Sequence, residues 1–357
     1  MTIVVDHPDR MHDGVYLGLE ESRYHAAFAL SSHGIGHLRV SGLDYWMHTQ
    51  ALNPDYQSLV TATETEAMLI GRAYDTRIIE GHEAFDRRFA AKLDPRDWPT
   101  AVRTKDDLLL AIADAGGPTA GMKNKLKGEL IKILAQHDPK ALIWETIESG
   151  HAAANDGKIL LPAEIVHRIE IAAQMIEHHP DISKAFTGGI PQPSIFWTDP
   201  RTGIPCKARF DYWKPHAIVD LKSYEATGMP LDRAINRAFV RYRYDVQAAL
   251  YLRAREEARL LIQNGLVFGE ADPELIAALA AAEEATMLFV WQCKGPAPVV
   301  RGKVLLANSG TLYVANTQID ESMLIWARYW ETCGVDPWIE ESPITTWSDE
   351  DFFFPMR

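Results

Sequence analysis

The stretch 207–223, KARFDYWKPHAIVDLKS, constrains this chain more than any other part of it. Its second half, Ala217 to Lys222, is rich in β-formers, and Lys214-Pro215-His216 before it supplies a turn, so the whole predicts a β-hairpin. With a period of two, Asp220 and Lys222 share one face of the second strand while Val219 and Leu221 face the core. Taken as one continuous strand, the first half puts Lys207, Arg209, Asp211 and Trp213 on one face and Ala208, Phe210 and Tyr212 on the other. Two carboxylates and a lysine then converge. Asp-x-Lys occurs twice more, at Asp138-Pro139-Lys140 and Asp156-Gly157-Lys158. Proline removes a ladder donor and glycine weakens a strand, so both of those copies are expected in turns.

Two carboxylates are hard oxygen ligands of the kind that hold Mg²⁺ or Mn²⁺. A lysine beside such a cation orients or helps deprotonate an attacking water and offsets charge on a phosphate, which is the chemistry of metal-assisted phosphodiester hydrolysis. A surface Asp–Lys cross-strand pair has the same spacing and contributes little. The next segment, Asp232 to about Gln263, has the period of one long helix, with Tyr244, Gln247 and Tyr251 on a single face. Arg233, Arg237, Arg241 and Arg243 crowd its first half, where they can meet successive phosphates of a nucleic-acid strand or simply face solvent.

Beyond these residues the chain resembles the RecE-type (exonuclease VIII) branch of the PD-(D/E)XK nucleases, encoded mainly by phages and prophages. The similar segments are GVYLGLEESRYHAAFALSSHGIGHLRVSGLDYW, MLIGRAYDTRIIEG, PQPSIFWTDPRTGIPCKARFDYW, AIVDLKSYEAT and YDVQAALYLRA, in that order, across most of residues 14 to 255. The resemblance implies a mixed α/β fold, a restriction-endonuclease-like core whose central mixed sheet is flanked by helices. It also implies a single nuclease domain over 1–357. It makes Asp211 and Asp220 metal ligands with the Leu221 carbonyl as a third contributor, Lys222 the catalytic lysine, and Gln247 and Tyr251 the polar pair that positions the DNA strand. Arg209, Arg237, Arg241, Tyr244 and Gln192 are the implied DNA contacts. The implied activity is Mg²⁺-dependent digestion of double-stranded DNA ends, 5′ to 3′, by a homo-oligomeric ring, leaving a 3′ strand for a RecT-type annealing partner.

Two positions depart from the family pattern. Asp75 stands where the Gly-x-Ala-x-His helix motif commonly has histidine, and its carboxylate remains a ligand for a hard cation. Gln192 stands where many members have glutamate, and being neutral it holds a second metal weakly. These departures leave open a same-fold nuclease acting on single strands or as an endonuclease, and a weakened DNA-binding accessory protein.

A chain of 357 residues, 47% hydrophobic, can bury a sizeable core. Its apolar runs are too short to cross a bilayer and its first residues lack a signal-peptide layout, so a cytoplasmic location in a bacterial host is expected. Cys206, Cys293 and Cys333 are too few and too dispersed for an iron–sulfur cluster, and none is expected. The formal charge of −13 repels DNA at long range, which leaves local arginines and lysines, Lys207 and Arg209 among them, to bind it.

Residues 97–157 predict a helical insertion: Thr104 caps LLLAIADAG, a Gly-Pro turn follows, and MKNKLKGELIKILAQH forms a second helix. With Lys123, Lys125, Lys127 and Lys132 the pair resembles a SAP-type DNA-binding unit, or a plain solvated insertion. His33 and His37 have the spacing of helix-borne zinc ligands, but Gly34 and Gly36 between them disfavour a helix and predict a structural loop. Ser31 and Ser32 lack the Gly-x-Ser-x-Gly turn of a hydrolase nucleophile. After about residue 265, a strand at 288–291 and a helix at 318–330 are expected, and the closing TTWSDEDFFFPMR carries aromatics suited to subunit contact.

Overall fold

The stretch 207–223 forms neighbouring strands, but not one hairpin. In the computed structural model, which describes residues 3–59, 65–226, 228–294 and 297–340, Pro205–Arg209 pairs with Ser194–Thr198, whereas Tyr212–Lys214 pairs with Ala217–Tyr224. The expected continuous strand is broken at Phe210 and Asp211. Pro193 on the facing segment accepts from the Phe210 N–H at 3.2 Å but has no N–H to return, so the ladder ends there. Gln192 next to it adopts a left-handed φ of +45° and donates its N–H to the Asp211 carbonyl at 2.9 Å. The closing segment from residue 341, including the carboxy-terminal aromatics, lies outside the described residues.

The chain divides into two compact units, residues 1–65 with 175–357, and residues 66–174. The first carries two sheets instead of one central sheet. One runs in the order Pro205–Arg209, Ser194–Thr198, Gly14–Tyr16, Val267–Phe268. The other runs Val300–Leu305, Thr286–Cys293, Ala217–Tyr224, Tyr212–Lys214, Ile190–Pro191. Ala217–Tyr224 is central in the second sheet, antiparallel to one neighbour and parallel to Thr286–Cys293, with Phe289 opposite Asp220 and Trp291 opposite Lys222. Ile218 to Leu221 are all buried, as expected of a strand covered on both faces.

The expected helix from 232 to 263 is two helices, Leu231–Arg241 and Tyr244–Gln263. Between them Arg243 takes a left-handed φ of +55°, costly for a long side chain. Its guanidinium is held by both carboxylate oxygens of Asp245 at 3.0 Å and by Gln318, contacts that offset the strain. The second helix buries Ala248, Ala249, Ala254 and Ala258 against the core, small side chains that let its backbone approach the sheets. Arg255 on the same helix is fully buried and donates to the carbonyls of Pro215, Ala282 and Glu283, tying the turn before the central strand to the loop before Thr286–Cys293. The expected helix at 318–330 runs from Gly310 to Cys333 and contributes Trp326 and Tyr329 to the core.

Lys207, expected among the lysines that bind DNA, is buried instead. It is 7% exposed, and its Nζ donates to the carbonyls of Tyr24 at 2.9 Å, His25 at 3.1 Å and Ala27 at 2.7 Å. Burial pushes its pKa down to about 7, while the three carbonyls match the three N–H bonds of the ammonium and favour the charged form.

The second unit holds the helical insertion. Thr104 and Asp107 form a reciprocal capping box on Lys105–Asp114, and Leu108, Ile112, Met122, Leu130, Leu134 and Ile143 make a small core of their own. The second helix begins at Lys127 and not at Met122, because Lys125 and Leu126 are extended. Both spare Asp-x-Lys copies lie in turns, with Gly157 at φ +75°. A second cluster gathers Ala73, Phe85, Phe89, Leu161 and Ile169, and beside it Glu170 takes a two-pronged ion pair from Arg77, at 2.8 and 3.0 Å. Among the described residues no helix is long and apolar enough to cross a membrane.

Replacing Lys207 by methionine keeps the length of the side chain and leaves three carbonyls without their donor. A loss of about 3 kcal/mol or more is expected, measured as the fall in urea midpoint, whereas Lys214→Met, which removes one bond to the Lys184 carbonyl from a half-buried side chain, should lower it less.

Candidate active site

The central strand presents Asp220 and Lys222 one pleat apart. Asp220 is fully buried and Lys222 Nζ lies 2.6 Å from its Oδ2. On the other carboxylate oxygen, Gln247 Nε2 approaches Oδ1 at 3.4 Å and also donates to the Tyr251 hydroxyl at 3.0 Å. These two residues are four apart on the first turns of Tyr244–Gln263, which is why they reach the same place. Tyr244 opens that helix with its ring under the Lys222 ammonium, 4.7 Å from centroid to Nζ.

Asp211 enters from the break between strands. Its Oδ2 accepts the Leu221 N–H at 2.7 Å, so the carboxylate sits beside the backbone that joins Asp220 to Lys222. Burial works against the charged form of Lys222, but Asp220, then Asp211, raise its pKa beyond the ordinary lysine value. It therefore stands in this arrangement as a fixed cation and not as a base. Burial raises the Asp220 pKa and Lys222 pulls it back. Burial, then Asp220, also pushes Tyr251 up, so its hydroxyl keeps its proton.

The donor set fits a hard divalent cation. Asp220 is fully buried, with Oδ2 meeting the Lys222 ammonium at 2.6 Å and Oδ1 approached only by Gln247 at 3.4 Å. A buried carboxylate is costly unless cations or donors meet it. Asp211, Asp220 and the backbone at Leu221 are the groups that would hold an ion here, as oxygen donors suited to Mg²⁺ or Mn²⁺.

The remaining expected site residues divide. Arg209 bends away from solvent and donates to the Leu19 carbonyl at 3.0 Å and to Gln192 Oε1 at 3.1 Å, with the Tyr24 ring 5.8 Å from its guanidinium carbon. Gln192 and Arg209 thus brace the break in the strand. Arg233, Arg237 and Arg241 lie exposed along one face of Leu231–Arg241, which leads through Tyr242 and Arg243 directly into Tyr244. Asp75 closes the helix Glu66–Asp75 in the second unit, just before a single π turn, Thr76–Glu80.

His33 was legible only as a weak zinc-spacing residue, and the structure gives it another setting. Gly34 and Gly36 do not prevent a helix: Ser32–Leu38 is helical, with Ser31 Oγ capping the Gly34 N–H at 3.1 Å, which corrects the expected loop. His33 opens that helix. It is exposed, yet desolvation by the protein around it lowers its pKa, and the Lys222 charge pushes the same way.

An acid at the end of one strand, then acid-x-lysine on the next, is the arrangement that gives the PD-(D/E)XK nucleases their name. A family model for the PDDEXK-like domain of unknown function DUF3799 matches residues 48–261. The chain belongs to that family. Comparison with curated proteins gives no match. A crystal structure named "Putative exonuclease" from Eubacterium rectale aligns with a TM-score of 0.45 and 14% identity, over 94% of this chain and 98% of that one.

Within this PDDEXK-like centre the pair Asp220–Lys222 is open to a thermodynamic cycle. Lys222→Met alone leaves a buried carboxylate unpaired and should cost about 3–5 kcal/mol. Adding Asp220→Asn should recover part of that loss, because the orphaned charge is removed with it. Urea denaturation of the four proteins reads the coupling, and strictly additive losses would mean that the two side chains do not interact.

Proposed function

We propose that the protein is a metal-dependent exodeoxyribonuclease that hydrolyses phosphodiester bonds at the ends of double-stranded DNA, 5′ to 3′, and leaves a 3′ single strand for annealing. The observation that carries this reading is the meeting of Asp211, at the break between strands, with Asp220 and Lys222 on the central strand, two carboxylates beside one ammonium. Polarity, ring assembly, action in the bacterial cytoplasm and a RecT-type partner come from the resemblance to the RecE-type branch.

Each residue has a distinct task in this reading. Asp211 and Asp220 hold the ion, which when bound polarises the scissile phosphate and lowers the pKa of the attacking water. Gln247, tethered to Tyr251, fixes the orientation of the Asp220 carboxylate. Lys222 is cationic and lies at the mouth of the pair, 14% exposed, where it offsets the charge that builds on the phosphate. Tyr244 beneath it limits where the ammonium can swing. Arg237 and Arg241, exposed one turn apart on the helix leading to Tyr244, grip successive phosphates of the strand being degraded.

The basic helix of the second unit is a further DNA contact in this reading. Lys127 is occupied there, paired with Glu145 and donating to the Arg103 carbonyl at 2.5 Å. Lys125 lies 3.9 Å from Glu129. Lys132 on that helix and Lys123 in the turn Met122–Asn124 before it are exposed and are the residues to vary.

Linear duplex labelled at either the 5′ or the 3′ end tests the proposal. Digestion from 5′ ends with Mg²⁺, none with EDTA, and a loss of about a hundredfold or more in Asp220→Asn and Lys222→Ala are expected. Cutting of closed circles would make the enzyme an endonuclease, and binding without digestion would make it an accessory protein.

Duplex affinity followed against salt tests the contacts. Each arginine or lysine that meets a phosphate contributes roughly 0.9 to the slope of log affinity against log salt. Arg237→Glu with Arg241→Glu, and separately Lys123→Glu with Lys132→Glu, should each lower that slope by about two units; an unchanged slope dismisses the helix concerned.

A further inference from the structure

The helices Ser32–Leu38 and Gly42–Met47 gather three metal-ligating side chains away from the carboxylate–lysine centre. His37 Nδ1 lies 2.7 Å from Asp44 Oδ2, and His48 Nδ1 lies 3.4 Å from Asp44 Oδ1. The two imidazoles stack in parallel, centroids 3.9 Å apart and planes 10° from each other. One ligand atom from each of the three residues falls within 4.8 Å of the other two.

The backbone places these groups firmly. Asp44 is in the first turn of Gly42–Met47 and His48 follows four residues later, so both project from one face. Ser41 Oγ caps that turn at the Asp44 N–H, 3.0 Å away. Between Asp44 and His48 the helix is pinned to the core: Trp46 Nε1 donates to the Val335 carbonyl at 2.9 Å, and Tyr45 is buried against Trp338. Gly42 lies so close to Tyr329 that an added Cβ would meet its ring at 2.4 Å. Asp44 and His48 are thus presented by an element that has little freedom to move.

Two imidazoles and one carboxylate gathered this closely are a donor set that a single divalent ion can take. Tetrahedral ligation with bonds of about 2.0–2.1 Å sets ligand atoms about 3.3 Å apart. The two imidazoles approach different oxygens of Asp44, His48 at 3.4 Å from Oδ1 and His37 at 2.7 Å from Oδ2. To share one ion the stacked rings must turn so that their lone pairs converge, and His48 must give up a 2.9 Å contact with the Asp44 carbonyl. All three side chains are between 28% and 37% exposed, which leaves the fourth position to water.

We propose that His37, Asp44 and His48 form a second metal site, selective for zinc or a similar borderline cation such as cobalt, that clamps the two helices together. Imidazole donors favour such ions over Mg²⁺, whereas the Asp211–Asp220 centre offers oxygen alone. The site does not depend on the nuclease reading. Its consequence for that centre is positional, since His37 shares its helix with His33.

The test uses the untagged full-length chain, stripped of metal and then titrated with zinc chloride against a chromophoric chelator in excess Mg²⁺, which keeps the oxygen centre occupied. One zinc per chain is expected, with affinity at least about tenfold weaker in His37→Ala and His48→Ala and unchanged in Asp211→Asn. Zinc should raise the melting temperature of the wild type and not of the histidine variants. Absence of zinc binding by the wild type overturns the proposal, as does binding that survives both histidine substitutions or disappears in Asp211→Asn. Should the histidine variants not fold, cobalt decides on the wild type alone: visible absorption bands of a nitrogen and oxygen site that persist in excess Mg²⁺ support the clamp, and their absence overturns it.

Discussion

The candidate active site exists because the chain changes sheets between Arg209 and Tyr212. In the register that pairs Tyr212 with Val219, one more antiparallel step would set Asp211 directly across from Asp220, two carboxylates on one face with nothing between them. The step is not taken. Pro193 cannot return a hydrogen bond, Gln192 turns into a left-handed conformation, and Arg209 holds the Gln192 side chain in place. The Leu221 N–H, left beyond the end of that ladder, takes the Asp211 carboxylate in place of a backbone carbonyl. One break therefore satisfies a buried donor and brings an acid to the edge of the central strand.

What the break assembles is electrostatically expensive. Asp220 is fully buried with an ammonium at 2.6 Å, and pairs of this kind seldom stabilise a fold as well as apolar side chains of the same volume would. The surroundings limit the cost without removing it: Gln247 shares its amide between Asp220 and Tyr251, and the Tyr244 ring meets the lysine charge.

The second half of the strand pair was readable because every signal in it is local. β-branched residues, a proline turn just before them and alternation over six residues place Asp220 and Lys222 side by side with no knowledge of the rest of the chain. Gln247 and Tyr251 were readable for the same reason, since helical spacing alone puts them on one face. The break at Asp211 was not, because its cause lies at Pro193 and Gln192, in a strand that is distant in sequence. The interruption at Arg243 depends on Gln318, and the burial of Lys207 depends on three carbonyls near residue 25. The histidine cluster was missed through a local rule applied too strictly: two glycines weaken a short helix, but Ser31 caps it and the core behind it holds it. From sequence, His33 and His37 lay in a loop with no acidic ligand beside them, whereas the fold brings Asp44 to His37.

The helix Ser32–Leu38 connects the two centres in kind as well as in space. Its first turn carries His33, whose protonation is discouraged by desolvation and then by the charge of Lys222, and its last turn carries His37, in contact with Asp44. A shift of this helix would move His33 and His37 together, because both ride on one short element. The two cation centres nevertheless draw on different chemistry. Carboxylates beside a fixed ammonium select a hard, strongly hydrated ion, and stacked imidazoles with one carboxylate select a borderline ion with directional bonds. Ligand type alone can thus keep the two ions apart on one unit of this fold.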